Sequence, residues 1–159
     1  MRYISILFIL FLSSCFLFRK SFRKSEFNYT AGGQNYSTPL RLPAGYSNVR
    51  TTTDDAGNQQ QYYYYPGGAF FYIAKLDSDS IYKVQLDKDL YRYVDTTMNI
   101  PDIHPHGGLI YKGQDERRLF WREIHIDNFR IGYHYADREM AIYLDSATNF
   151  ASNNIRRRL

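Results

Sequence analysis

The 159-residue sequence contains a single cysteine, Cys15. One cysteine excludes an intramolecular disulfide framework, and it excludes a zinc site built from several thiolates. The sequence also lacks a Gly-rich phosphate loop, a Gly-x-Ser-x-Gly nucleophile elbow and a His-Glu-x-x-His zinc helix. We therefore predict no catalytic residue and no enzyme of these signature classes.

Positive charge is scarce in the middle of the chain, although the whole chain carries a formal charge of +4. Five basic residues lie in the first 24 positions, and three more are Arg156, Arg157 and Arg158. Between positions 25 and 155 there are 12 basic and 16 acidic residues, so this region is mildly acidic. Phosphate binding needs a basic face on the folded surface. The sequence thus argues against a nucleic-acid partner.

Aromatic residues are abundant, with 16 Tyr and 11 Phe making up most of an 18% aromatic content. Such residues favour pleated, half-buried surfaces. The composition therefore favours a β-rich domain, and the length suits a single one.

The N-terminus has the pattern of an export signal. Arg2 is followed by an apolar run from Ile4 to Leu12 and then by two serines. The apolar run extends at most to Phe18, so at 15 residues it is short of the roughly 20 that a spanning helix needs.

The tetrapeptide Leu12-Ser13-Ser14-Cys15 resembles the lipobox of bacterial lipoproteins. The resemblance implies a signal peptide over residues 1–14 and a covalent lipid on Cys15. Apart from this lipid we expect no cofactor. The lipobox resemblance also implies a membrane-anchored protein of the cell envelope. With Phe16 directly after the cysteine, the sequence resembles an outer-membrane lipoprotein. The resemblance implies a protein in the outer membrane that faces the periplasm or the cell surface. A non-lipidated signal peptide or a signal anchor is the alternative.

Residues 15–60 are interpreted as the lipidated anchor and a polar tether, because from residue 25 on they are rich in Asn, Gln, Ser, Thr and Gly. One short strand is expected near residues 36–42. Residues 61–159 are interpreted as the folded domain.

Three hairpins are predicted in that domain. The first joins residues 61–65 to 69–76 across the turn Pro66-Gly67, which suits a type II turn. The second joins residues 80–86 to 90–94. The third turns at Asp127-Asn128 and pairs Ile126 with Phe129, Ile124 with Ile131, Arg122 with Tyr133 and Phe120 with Tyr135.

After Ala136 the apolar period changes from 2 to 3.6, which predicts a helix of about 14 to 17 residues that ends near Asn153-Asn154. Asp137 is placed to cap its N-terminus. The predicted fold is α+β: an antiparallel sheet of about five to seven strands, built from hairpins, with one C-terminal helix.

His104 and His106 are candidate metal ligands in the segment His104-Pro105-His106-Gly107-Gly108. No third ligand stands at a telling spacing, and Pro and Gly are also what an ordinary tight loop needs. The structural interpretation is favoured over the metal site.

His125 and His134 are predicted to project from the same face of the third hairpin. Their rungs lie four residues apart, about 13 Å at about 3.3 Å per residue, so they cannot share one ion. Glu123 can orient His125 as a base. An ordinary polar pair on a sheet surface is the commoner explanation.

Rings on both faces of the strands suggest an interaction surface, with Tyr62, Tyr63, Tyr64, Tyr65, Trp121, His125 and His134 as candidates. Packing within the domain is the competing explanation. We therefore expect a non-catalytic, protein-binding or structural envelope lipoprotein, an assembly component or an immunity-type inhibitor. A metal-dependent or hydrolytic enzyme built on His104 and His106 and a glycan-binding module are the alternatives.

Overall fold

The computed structural model describes residues 21–55, 57–76, 102–103 and 108–156. Cys15, His104 and His106 lie outside these ranges, and so does the predicted hairpin of residues 80–94. The elements run in the order β1 Phe22–Ala31, β2 Gln34–Pro43, β3 Asn48–Thr53, β4 Gln59–Tyr64, β5 Phe70–Lys75, β6 Asp102–Ile103, β7 Leu109–Gln114, β8 Phe120–Ile126, β9 Phe129–Ala136 and α1 Arg138–Arg156.

The strands form two antiparallel sheets within the described residues. Strands β1 and β2 make a two-stranded sheet, and the other strands make a seven-stranded sheet in the order β3-β4-β5-β9-β8-β7-β6. With the C-terminal helix, this confirms the predicted α+β class.

The hairpin of β4 and β5 forms as predicted. The amide of Gly68 donates to the carbonyl of Tyr65 at 3.2 Å, which closes a turn over Pro66 and Gly67. Gly67 has a φ of +87°, the positive value that a type II turn requires at its third residue. The turn residues therefore set the register of this hairpin.

The hairpin of β8 and β9 has the predicted register from its turn as far as Arg122, which pairs with Tyr133. Beyond this rung the prediction is wrong, because Phe120 pairs with Ala136 and not with Tyr135. Tyr135 adopts a φ of +57°, so one extra residue is accommodated in β9 as a bulge.

The polar segment interpreted as a tether is, from Phe22 onward, largely folded, which corrects the prediction. It forms β1, β2 and β3 in place of loops and one short strand. Phe27, Leu40 and Leu42 are fully buried in the main core. A few apolar residues at a spacing of two suffice to bury one face of a strand that is otherwise polar.

Helix α1 is longer than predicted and begins as predicted. The amide of Met140 donates to Oδ1 of Asp137 at 2.7 Å, an N-terminal cap that satisfies one of the free amides of the first turn. The apolar stripe of the helix, including the fully buried Leu144, packs on β2, β8 and β9. Burying a leucine of this kind contributes about 2 kcal/mol.

The seven-stranded sheet has two different faces. The helix face carries Tyr63, Phe71 and Ile131, which belong to the same buried core as α1 and the β1-β2 hairpin. Because side chains alternate along a strand, the intervening residues lie on the opposite face. We call it the ring face, and it includes Tyr62, Tyr64, Phe70, Tyr72, Glu123, His125 and His134.

Candidate functional site

Three half-buried rings form a triangle on the ring face. The ring centroids of Tyr62 and Tyr64 are 6.2 Å apart, and Phe70 lies 6.1 Å from Tyr62 and 5.9 Å from Tyr64. We call this set the ring triangle. Tyr64 and Phe70 face each other across the β4-β5 pair, so the hairpin register itself brings the rings together.

Strand β3 borders the ring triangle. Arg50 pairs with Tyr62 and Asn48 with Tyr64, and both β3 residues are exposed. Within the described residues β3 pairs only with β4, which leaves it at the edge of the sheet. The ring triangle therefore lies next to a strand edge and an exposed guanidinium.

The row of rings continues from Phe70 into buried residues. His134 lies 5.4 Å from Phe70 and 6.0 Å from Trp121, with ring planes nearly parallel to both. Its side chain is 2% exposed, and neither ring nitrogen has a hydrogen-bond partner in the part of the chain that the structure describes. Burial lowers the pKa of His134 to about 4, against the opposing effect of the Glu123 carboxylate, so this imidazole is neutral at pH 7.

Glu123 and His125 form a close pair on the ring face. Nε2 of His125 lies 2.6 Å from Oε1 of Glu123. Burial acts to raise the pKa of the Glu123 carboxyl, but the hydrogen bond and charge of His125, helped by His134 and Tyr72, outweigh it and leave the pKa lowered. The Glu123 side chain is therefore a buried, ionised carboxylate whose main partner is a partly exposed imidazole.

Gly132 makes this arrangement possible because Tyr72 lies across it. A Cβ at position 132 would stand 2.8 Å from the hydroxyl of Tyr72 and 2.5 Å from the carbonyl oxygen of Arg122. Gly132 pairs with Tyr72 on one side and Glu123 on the other. The missing side chain thus lets the tyrosine ring extend from β5 toward the carboxylate on β8.

The structure changes the set of interface candidates. Tyr62, Tyr64 and His125 are partly accessible on the ring face. Tyr63 and Tyr65 are buried in the core on the helix side, and Trp121 and His134 are also buried. The prediction of these four residues as interface residues is therefore corrected, because a buried ring offers a partner little surface. Phe70 joins the candidates instead.

The described residues contain no group of three or more His, Cys, Asp or Glu side chains that could hold a metal ion. His125 and His134 do share a face, as predicted, without forming such a group. A metal site at His104 and His106 stays a prediction, since both residues lie outside the described ranges.

A second feature gives no signal in the sequence. On the helix face, a cleft of about 530 Å³ surrounds Arg122 between α1 and the strands β7 and β8. Arg122 contacts helix residues that lie 23 to 27 positions away, and only the tertiary structure brings them together.

Comparison with known proteins gives no match to a family model, a curated protein or a solved structure. Among the described residues, no helix is both long and apolar enough to cross a membrane.

Proposed function

We propose that this protein is a lipid-anchored component of a bacterial cell envelope that binds a protein partner through the ring triangle and serves no catalytic role. The single observation that carries the binding proposal is the mutual contact of Tyr62, Tyr64 and Phe70 at half-buried positions.

The ring triangle and the residues beside it have a composition typical of a protein interface. Tyrosine and arginine are enriched among the residues that dominate binding energy, because they offer a large contact area at a small entropic cost. Tyr62 and Tyr64 supply such rings, and Arg50 supplies an exposed cation beside them. The adjacent edge of β3 adds backbone groups that a strand of the partner can pair with.

Site-specific photocrosslinking tests the partner. A benzoylphenylalanine at Tyr64 of the full chain, expressed in its native host, is expected to give one discrete protein adduct. The matched control places the same group at Tyr36, which is 39% exposed on β2 of the two-stranded sheet. The proposal would be contradicted if no adduct formed when the group replaces either Tyr62 or Tyr64. The same adduct from the group at Tyr36 would also contradict it.

A substitution separates binding from folding. Tyr64→Thr keeps a good strand former and removes the ring, so the variant is expected to fold and to lose most of the adduct formed from Tyr62. The control variant Tyr36→Thr is expected to change neither the folding of the protein nor the amount of adduct formed from Tyr62. Unchanged adduct formation by Tyr64→Thr would remove the ring triangle as the binding surface.

The anchor is tested separately. The proposal that Cys15 carries acyl chains rests on the lipobox resemblance of Leu12-Ser13-Ser14-Cys15. Radiolabelled palmitate is expected to label the wild-type product and not Cys15→Ser. An unlabelled wild type, or equal labelling of both, would overturn the anchor and leave the ring triangle untouched.

A further inference from the structure

A polar cleft lies near the turn end of the β1-β2 hairpin, where the hairpin approaches the first residue of β4. Its volume is about 480 Å³, and it is lined by residues 28–30 of β1, residues 35–37 of β2 and Gln59 of β4. We call it the Tyr36 cleft. Pockets for small ligands are typically about 300 to 1,000 Å³, so its size suits a single sugar ring.

Gln59 holds the walls of the cleft together. Its Oε1 accepts from the amide of Thr30 at 2.8 Å, and its Nε2 donates to the carbonyl oxygen of Thr30 at 3.0 Å. These two bonds tie the end of β1 to the start of β4, although the two strands belong to different sheets. A cleft that is fixed before binding costs less conformational entropy when a ligand enters it.

Tyr36 provides an accessible ring in the cleft. Its centroid lies 5.6 Å from that of Tyr29, and the two ring planes are 19° apart. Tyr29 is buried and packs edge-on against Phe129, whereas Tyr36 is 39% exposed. The stack occupies one side of the Tyr36 ring, so its exposed surface is on the other side and at the edge. A tyrosine ring supported in this way offers a rigid apolar surface to the C–H face of a sugar.

The polar groups of the cleft are hydroxyls and carboxamides. The hydroxyl of Thr30 donates to Oδ1 of Asn35 at 3.0 Å, which leaves the amide N–H groups of Asn35 to donate to a ligand. Asn28 is exposed, and its carboxamide has no hydrogen-bond partner among the residues that the structure describes. Carboxamides both donate and accept hydrogen bonds, and so they match the hydroxyl groups of a sugar.

The charges around the cleft favour a neutral ligand. The lining contains no charged side chain among the described residues. A carboxylate stands beside it, because Glu26 accepts from the hydroxyl of Ser37 at 3.0 Å. An anionic ligand would therefore meet a like charge, and the described lining provides no cation to offset it. A neutral molecule with several hydroxyl groups meets no such opposition.

We propose that the Tyr36 cleft binds a neutral pyranose unit of a glycan, with the C–H face of the sugar on Tyr36 and its hydroxyls at Asn28 and Asn35. The β1-β2 hairpin shares the core on the helix face of the seven-stranded sheet, on the opposite side from the ring triangle. The sugar site and the proposed protein-binding surface can therefore fail independently of each other.

NMR titration of the full chain with methyl β-glucopyranoside tests the site. The protein is kept in a zwitterionic detergent, because the sugar headgroups of glucoside or maltoside detergents would compete. For a ligand of about 13 non-hydrogen atoms the expected Kd is about 1 mM. The site would be overturned if the side-chain amide signals of Asn28 and Asn35 showed no saturable shift up to about twenty times that Kd.

Two comparison ligands test the two parts of the recognition. Cyclohexanol keeps a six-membered ring with one hydroxyl and is expected to bind at least about fivefold more weakly. Methyl β-glucuronide adds a carboxylate and is expected to bind about twofold more weakly or worse. Equal binding of cyclohexanol would overturn the role of the sugar hydroxyls. Equal or tighter binding of the glucuronide would overturn the preference for a neutral ligand.

Variants of Tyr36 test the ring. Tyr36→Thr is expected to weaken glucoside binding about fivefold to tenfold, whereas Tyr36→Phe keeps the ring surface and is expected to retain the affinity. Tyr64→Thr, on the ring triangle, is the matched control and is expected to change nothing. An unchanged affinity of Tyr36→Thr would remove the ring from the site, and an equal loss in Tyr64→Thr would show that the effect is not specific to the cleft.

Discussion

Nε2 of His125 lies 2.6 Å from Oε1 of Glu123, a residue two positions earlier on the same strand and the same face. The carboxylate is buried and the imidazole is partly exposed. The imidazole thus stands between a buried negative charge and the solvent, and it is the main partner of that carboxylate.

Removal of the His125 imidazole alone is expected to lower the free energy of unfolding more than replacement of both His125 and Glu123. His125→Phe leaves a buried carboxylate without its main partner and is expected to lower the free energy of unfolding by about 2 kcal/mol at pH 7. The double variant with Glu123→Gln is expected to lose less than the sum of the two single variants. Urea unfolding of all four proteins measures this coupling, and strict additivity would contradict it.

The Glu123 carboxyl also predicts a dependence of stability on pH. Its pKa is lowered in the folded protein, so its contribution is complete above its unfolded pKa of about 4.3. The contribution is lost as the pH falls through the folded pKa. We expect Glu123→Gln to flatten the stability curve below about pH 4.3. A curve parallel to that of the wild type in this range would show that the carboxyl does not titrate there with a lowered pKa.

His134 acts over a different range of pH. The unfolded chain takes up a proton near pH 6.5 while the folded chain does so only near pH 4, so stability falls as the pH is lowered between these values. The loss between pH 7 and pH 5 is expected to be about 2 kcal/mol. His134→Phe fills the same space between the rings and should abolish this loss, as measured by urea unfolding at both pH values.

His125→Gln is the control for that experiment, since it removes an imidazole from the same face and leaves His134 in place. It is expected to retain the decrease in stability between pH 7 and pH 5. If His134→Phe retained it as well, the buried imidazole would not be its source.

Gly132 is expected to tolerate no side chain. The Cβ of Gly132→Ala would stand 2.5 Å from the carbonyl oxygen of Arg122, so the backbone must move, at a cost of about 2 to 3 kcal/mol. Adding Tyr72→Ala removes only the side-chain overlap and should not restore stability. Thermal unfolding of both variants measures this, and a Gly132→Ala protein as stable as the wild type would rule out the close approach.

The cap of α1 offers a smaller and more local prediction. Asp137→Ala removes the acceptor for the amide of Met140 and is expected to cost about 1 kcal/mol. Asp137→Asn keeps an acceptor oxygen and should retain most of the stability. Chemical unfolding distinguishes the two, and an equal loss in both would point to the charge of Asp137 and not to the cap.

Turn chemistry and periodicity explain what the sequence predicted well. Pro66 and Gly67 define one hairpin, and the alternation around Asp127-Asn128 defines the rungs of another as far as Arg122 and Tyr133. The bulge at Tyr135 was missed because a non-glycine residue adopts a positive φ there without any local signal. The predicted pairing beyond Arg122 and Tyr133 was therefore wrong by one residue.

The rest depends on contacts between residues distant in the chain. Strands β1 and β2 have few apolar residues, and their burial becomes evident only when Tyr29 packs 5.1 Å from Phe129 across the core. The cleft around Arg122 needs this residue beside Asp145 and Asn149, which no spacing rule predicts. The sequence did place His125, Glu123 and His134 on one face, because alternation along a strand is a local property.

The early start of β1 bears on the distance between the protein and its proposed anchor. Phe22, the first residue of β1, follows Cys15 by seven positions, and seven residues span at most about 25 Å when fully extended. A lipid at Cys15 would therefore hold the sheets within about one small domain's diameter of the bilayer surface. A partner that reaches the ring triangle would itself have to work close to the headgroups, as a membrane-bound or membrane-adjacent protein does.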